Sequence, residues 1–173
     1  MMEFRLSGSG GQGLILAGII LAEAAIKDGK EAVQSQSYGP EARGGSSKSE
    51  VIVSDKAIYF PKVLQPDVLL AMTGEALAKY GSDLKEKGIL VVDSTYVQDI
   101  PDQFKNVYSV PITRMAKEEL GRDLFANIIA LGVLAKISRS VSFSALEQAV
   151  LARVPKGTEE KNRKALTLGY EAV

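Results

Sequence analysis

Residues 3–27 read EFRLSGSGGQGLILAGIILAEAAIK, and the fold turns on how this stretch divides. Glu3 to Ser7 is a short extended segment, and it runs at once into Gly8-Ser9-Gly10-Gly11-Gln12-Gly13. Leu14 to Lys27 then reads as a helix carrying Leu, Ile and Ala on nearly every side. A helix that is apolar most of the way round is buried against a sheet or a partner. Strand, glycine loop and buried helix in that order open an α/β domain.

The rest of the chain extends the pattern. Lys30 to Gln34 suits a second strand, and Ser37 to Ser46, polar and rich in glycine, suits a loop. Ser49 to Ser54 and Ala57 to Phe60 read as short strands on either side of a turn at Ser54-Asp55-Lys56. The apolar runs within Asp67 to Met72 and Gly88 to Asp93 are those of strands covered on both faces. Gly74 to Tyr80 fits a short helix between them, and Asn106 to Val110 is a further strand ended by Pro111. Beyond it the sequence predicts helices only, over Thr113 to Leu120, Asp123 to Ile137 and Glu159 to Ala172. A further helix opens at the capping-box pattern Ser144-x-x-Glu147. Strands alternating with helices imply right-handed crossovers. The expected architecture is a three-layer α/β fold with a mostly parallel sheet and a helical C-terminal third.

Composition narrows the chemistry. The 173 residues are 46% hydrophobic and 24% charged, with mean hydropathy +0.04. A chain this size can bury about 70% of its unfolded surface, so residues 1–173 are expected to form a single domain. Lys plus Arg and Asp plus Glu both number 21, which removes the electrostatic basis for a general nucleic-acid or membrane-surface binder. There is no Cys and no His. The chain therefore offers no thiolate for an iron–sulfur cluster, no imidazole base and no His-ligated metal. Neither a catalytic residue nor a metal ligand is assigned. The apolar stretch from Leu14 to Ile26 is too short to span a bilayer, and residues 1–5 do not read as a signal peptide. The expected location is the cytoplasm.

Gly8-x-Gly10-x-x-Gly13 has the strand–loop–helix context that a phosphate-binding loop requires. Its glycines permit a tight turn and bring backbone amides near the positive end of a helix. The same pattern also serves as a purely structural turn. A dinucleotide site further needs a carboxylate ending the second strand, where this sequence has Val33-Gln34-Ser35-Gln36-Ser37. The missing ribose clamp counts against NAD, FAD and S-adenosylmethionine. No Lys-Ser/Thr pair follows the last glycine, so the loop is not a P-loop.

A second cluster, Ser37-Tyr38-Gly39-Pro40-Glu41-Ala42-Arg43-Gly44-Gly45-Ser46, packs an aromatic, a carboxylate and a guanidinium among glycines. Such a loop can present Arg43 to an anion as a bidentate fork, or it can simply be solvated. Taken together, the two clusters resemble the gamma subunit of 2-oxoacid:ferredoxin oxidoreductases. The likeness reaches Asp67 in Gln65-Pro66-Asp67-Val68, and Ala126-Asn127-Ile128-Ile129-Ala130-Leu131-Gly132. It also takes in Asn162-Arg163-Lys164-Ala165-Leu166 and Gly169-Tyr170, covering nearly the whole chain. A histidine-containing version of the second motif, usual in the related indolepyruvate enzymes, is absent. That favours the pyruvate and 2-oxoglutarate branches, and the short chain without a ferredoxin-like extension is most similar to the 2-oxoglutarate form.

The resemblance implies a Rossmann-like fold similar to domain III of pyruvate–ferredoxin oxidoreductase. It further implies an accessory, non-redox subunit of a complex that decarboxylates a 2-oxoacid oxidatively, transfers the acyl group to coenzyme A and reduces ferredoxin. Thiamine diphosphate and the iron–sulfur clusters would belong to alpha, beta and ferredoxin-like delta partners, and this chain would bind no cofactor tightly. Gly8, Gly10, Gly11, Gln12 and Gly13 would form a cradle, with Tyr38, Glu41, Arg43 and Gly44 as the second lip. These residues would meet either coenzyme A phosphates or an acidic surface of a neighbouring subunit. The residue pattern alone leaves two other functions open: a stand-alone nucleotide-dependent enzyme and a purely structural interaction module.

Several single features carry an expectation of their own. Asp93-Ser94-Thr95 follows a buried strand at the end where open α/β sheets place ligands, but reads better as a turn or cap. The run Leu124, Phe125, Ile128, Ile129, Leu131, Val133, Leu134 and Ile137 suits the intramolecular core, and part of it could instead be covered by a partner. Asn127, the odd polar residue there, would satisfy a nearby backbone group. Lys156 to Lys164 mixes both signs of charge and reads as a solvated face around a helix start.

Overall fold

The computed structural model describes residues 1–37 and 46–173. Six strands, β1 (Met2–Ser9), β2 (Glu31–Ser37), β3 (Ser46–Ser54), β4 (Val68–Ala71), β5 (Ile89–Asp93) and β6 (Asn106–Val110), form one sheet ordered β2-β3-β1-β4-β5-β6. β1 pairs in parallel with β4, which continues in parallel to β5 and β6. β3 runs antiparallel to both β1 and β2, so it is the one reversed strand in a mostly parallel sheet. Its reversal follows from connection length. Only residues 38–45 separate it from β2, fewer than the dozen or so that a parallel crossover needs.

That insertion also corrects one expected strand. Ala57 to Phe60 lies outside the sheet, with Tyr59 94% exposed. Because β3 is paired on both sides, it has no free edge onto which a following strand could fold back.

Helices α1 (Leu14–Lys27), α3 (Ile112–Leu120), α4 (Ala126–Ser138), α5 (Phe143–Arg153) and α6 (Glu159–Glu171) pack over one face of the sheet, against Phe4, Leu6, Val51, Leu70 and Val91. The other face, with Leu69, Ala71, Leu90 and Val92, is covered by α2 (Gly74–Tyr80) and by Val97. The molecule thus has three layers, one thick and one thin, and the C-terminal third is helical. No helix among the described residues is long and apolar enough to cross a membrane.

Two helix starts differ from the sequence reading. The segment expected to be helical from Asp123 opens as a 3-10 turn over Asp123–Phe125, and α4 follows from Ala126. The cap of α5 is Ser142, whose Oγ accepts from the Ala145 amide at 3.1 Å. Ser144 already lies inside the helix, so Ser144 and Glu147 form no capping box. Ser142 takes the role because its own amide and hydroxyl donate to Asp28, at 2.5 and 2.7 Å, fixing the chain where the helix begins. From Ala126 to Ala135 every residue of α4 is buried by this chain itself, whereas Leu124, just before it, stays exposed.

Candidate functional site

The C-terminal ends of β1, β4, β5 and β6 converge on a cleft of about 430 Å³. Ser9, Gly10, Gly11 and Gln12 form one wall, Thr73, Tyr96 and Thr113 another, and Asp123, Leu124 and Ala126 close the third side. The site follows from topology. From β1 the chain turns through α1 toward β2 on one side of the sheet, while β4 lies on the other. The two directions part between β1 and β4, and open α/β sheets bind ligands at such a switch point.

The four glycines of the loop have different reasons to be glycine. Gly11 (φ 89°) and Gly13 (φ 72°) are left-handed, a conformation that a side chain disfavours. A Cβ on Gly8 would overlap the Gln12 side chain and approach Leu14 and Met72. Gly10 has neither constraint: its φ is ordinary, and a Cβ there would meet nothing within 4 Å. A residue without a side chain, free of packing and torsional demands, lines the cleft with bare backbone. Gln12 spends its side chain on the loop itself, where Oε1 accepts from the Ser9 amide at 2.8 Å. Gly8 and Gly13 support the loop from below, so Gly10, Gly11 and Gln12 are the three cradle residues that reach the cleft.

Gly13 caps α1 without any side-chain hydrogen bond, and the first turn of α1 carries no acidic residue. Its carbonyl accepts from the Asn127 side-chain amide at 3.2 Å, so Asn127 satisfies a backbone group, as its isolation in α4 suggests.

Across the cleft, Asp93 is fully buried at the end of β5. Its Oδ1 accepts from the Thr95 amide at 3.0 Å, and its Oδ2 from the amide and hydroxyl of Thr113, at 3.1 and 2.5 Å. Asp93 therefore ties the end of β5 to the start of α3 and turns no free carboxylate toward the cleft. Tyr96 and Leu124, each about half exposed, form an apolar rim. Sequence reading passed over Thr73, Tyr96 and Thr113 as site residues, and named Leu124 only in an apolar run suited to the core or a partner contact, not as a cleft residue. Their signal was positional, since Thr73, Tyr96 and Thr113 sit shortly after the ends of β4, β5 and β6.

Tyr38, Glu41, Arg43 and Gly44 lie outside the described residues. Their flanks do not: Ser46 pairs with Ser9, the first residue of the cleft wall. Asp67, distant from the cleft, accepts from the Glu3 amide at 2.8 Å and from Lys85 at 2.7 Å, pinning the base of β1 to the start of β4. Desolvation lowers the Lys85 pKa, but hydrogen bonds to Asp67 and Glu3 and their charges outweigh it and raise the group above its ordinary value. Among the described residues no cluster of His, Cys, Asp and Glu could hold a metal ion.

The chain matches the family model described as pyruvate ferredoxin/flavodoxin oxidoreductase over residues 3–172. It is 52% identical over 172 residues to the 2-oxoglutarate synthase subunit KorC of Methanocaldococcus jannaschii, covering 98% of this chain and 92% of that protein. Identity to the pyruvate synthase subunit PorC of Methanothermobacter thermautotrophicus is 30% over 177 residues, 100% of this chain and 96% of that one. The fold superposes on the crystal structure of a keto/oxoacid ferredoxin oxidoreductase gamma subunit from Geobacter sulfurreducens with a TM-score of 0.90. The two are 53% identical, over 99% of this chain and 98% of the other.

Proposed function

This chain belongs to the pyruvate ferredoxin/flavodoxin oxidoreductase family, and from that premise we propose that it is the gamma subunit of a 2-oxoglutarate:ferredoxin oxidoreductase. The observation that carries the choice of substrate is the contrast of 52% identity to a 2-oxoglutarate synthase subunit with 30% to a pyruvate synthase subunit, both over nearly full length. It acts as one domain in the cytoplasm, alongside alpha, beta and delta subunits that hold thiamine diphosphate and the iron–sulfur clusters. A chain without cysteine cannot ligate such clusters through thiolates, which supports that division. The reaction on those subunits decarboxylates the 2-oxoacid, passes electrons through the clusters to ferredoxin and transfers the acyl group to coenzyme A.

The gamma subunit's part in this reading is to bind and orient. Gly10 and Gly11 offer backbone to an anionic group at the start of α1, whose first turn carries no carboxylate, while Asp123 stands on the third side of the cleft. Tyr96 and Leu124 give the same cleft an apolar rim. This combination suits a phosphate-bearing carrier such as coenzyme A, with Arg43, three residues before the Ser46 that pairs with Ser9, as a second anion contact.

Reconstitution tests the reading. Co-expressed alpha, beta, gamma and delta subunits should reduce ferredoxin with 2-oxoglutarate and coenzyme A in preference to pyruvate, and the purified chain alone should not. Arg43→Ala in the assembled enzyme should raise the KM for coenzyme A and leave that for 2-oxoglutarate unchanged. Full activity in a complex lacking this chain would refute the proposal.

A further inference from the structure

β6 closes one edge of the sheet. Only β5 pairs with it among the described residues, and Asn106, Tyr108 and Ser109 are exposed. Natural edge strands are commonly protected by a charge or proline within the strand, or by a covering element. The strand Asn-Val-Tyr-Ser-Val has no charge and no proline, and its β-branched and aromatic residues favour pairing. On the side of the thick helical layer, that layer leaves part of β5 and β6 uncovered. A groove of about 610 Å³ there is lined by Lys87, Ile89, Lys105, Asn106, Val107 and Tyr108. Lys87 and Lys105 are exposed at one end of it. Lys105 donates to the Asp102 carbonyl at 2.7 Å, and neither lysine makes an ion pair with a described residue.

Resting on the reading of this chain as a subunit, we propose that β6 receives an extended, acidic segment of a partner oxidoreductase subunit as a seventh strand. Main-chain hydrogen bonds to the open edge supply the pairing, as in other strand-addition complexes. Tyr108 and Ile89 contact the segment's apolar side chains. Its carboxylates meet Lys87 and Lys105, which sets direction and register through charge. The cleft at the glycine loop is left open, since the groove lies along the opposite part of the sheet, beside the start of β5 and β6.

Hydrogen exchange on the isolated chain and on the assembled complex tests this directly. Strand addition should slow exchange of the outward-facing β6 amides, Val107 and Ser109, by at least about ten-fold on assembly, while Tyr108 and Val110, already turned toward β5, change less. Lys87→Glu with Lys105→Glu should leave the melting temperature of the free chain unchanged and weaken assembly about ten-fold or more. A photo-crosslinking residue at position 108 should capture a carboxylate-rich peptide of a partner subunit. Assembly with unchanged β6 exchange would overturn the inference and leave the subunit reading standing. Failure of the chain to assemble with any oxidoreductase subunit would overturn both. Concentration-dependent β6 protection in the free chain would assign the edge to a second copy, and so also defeat the inference.

Discussion

The side-chain amide of Asn127 donates to the main-chain oxygen of Gly13 at 3.2 Å, so a buried polar group in α4 holds the residue from which α1 and the glycine loop depart. A Cβ on Gly13 would lie 2.6 Å from that same amide nitrogen. Gly13→Ala therefore incurs two penalties, a left-handed φ of 72°, worth about 1–2 kcal/mol, and a collision with Asn127. Asn127→Ala loses one hydrogen bond, about 1 kcal/mol, and removes the collision partner. The double variant should be more stable than the sum of the single effects predicts, by about 1 kcal/mol. Urea unfolding of the four proteins measures this, and strict additivity would mean that the two residues are independent.

Gly10 and Gly11 separate binding from folding. Gly10→Ala enters open space at an ordinary φ and should change stability by less than about 0.5 kcal/mol. Gly11→Ala must adopt φ 89° and should cost about 1–2 kcal/mol. In the assembled enzyme the added methyl of Gly10→Ala stands where the cleft's ligand would lie against bare backbone, so the KM for coenzyme A should rise several-fold at unchanged melting temperature. An unchanged KM would remove Gly10 from the ligand surface.

What the sequence revealed, and what it hid, follows the range of the interactions involved. β4, β5 and the buried helix α4 were legible because each is a local apolar run, and β1 and the glycine loop because strand, loop and helix follow one another directly. The insertion of β3 between β2 and β1 was not. It depends on which strand edges are free, and the wrongly expected strand at Ala57 to Phe60 arose from the same gap. Asp93 looked like a turn residue and is one, but its second partner, Thr113, lies twenty positions on and no local pattern announces it. At the cleft, the glycine wall could be read directly. Thr73, Tyr96 and Thr113 required knowing which strand ends converge.

That long-range tie gives a third expectation. Asp93 is the buried acceptor for the Thr95 amide and for both donors of Thr113. Asp93→Ala leaves the buried Thr113 groups without their acceptor and should destabilise the chain by about 3 kcal/mol or more. Since α3 starts at that contact, hydrogen exchange should quicken first across residues 112–120. Uniform loosening of the whole chain would argue against a local clamp.

The Lys85 pair with Asp67 and Glu3 predicts a pH dependence at the alkaline end. The folded state raises the Lys85 pKa above 10.5, so the folded form holds its proton more tightly than the unfolded chain. The associated stability is complete below about pH 10.5 and is lost as pH rises through the higher folded value. The ammonium is substantially exposed, so the effect is modest. The difference in melting temperature between wild type and Lys85→Gln, followed from pH 8 upward, should narrow as the pH rises above 10.5. Parallel curves would show that the ion pair contributes nothing to folding.

Gly132 and Gly169 bring α4 and α6 together backbone to backbone. A Cβ on Gly169 would collide with the carbonyl of Ile129, and one on Gly132 with the carbonyl of Leu166. Helix propensity alone favours alanine over an interior glycine by about 1 kcal/mol. Here the sign should reverse, because the obstacle is main chain and cannot rotate away. Gly169→Ala should cost about 3 kcal/mol as the helices are forced apart. Gly74→Ala, which meets nothing within 4 Å at the start of α2, is the matched control and should stay within about 0.5 kcal/mol of wild type. Denaturant midpoints for the two variants decide the matter. A neutral Gly169→Ala would mean that α6 can slide on α4, and the close approach would then not be what holds the C-terminal helix in place.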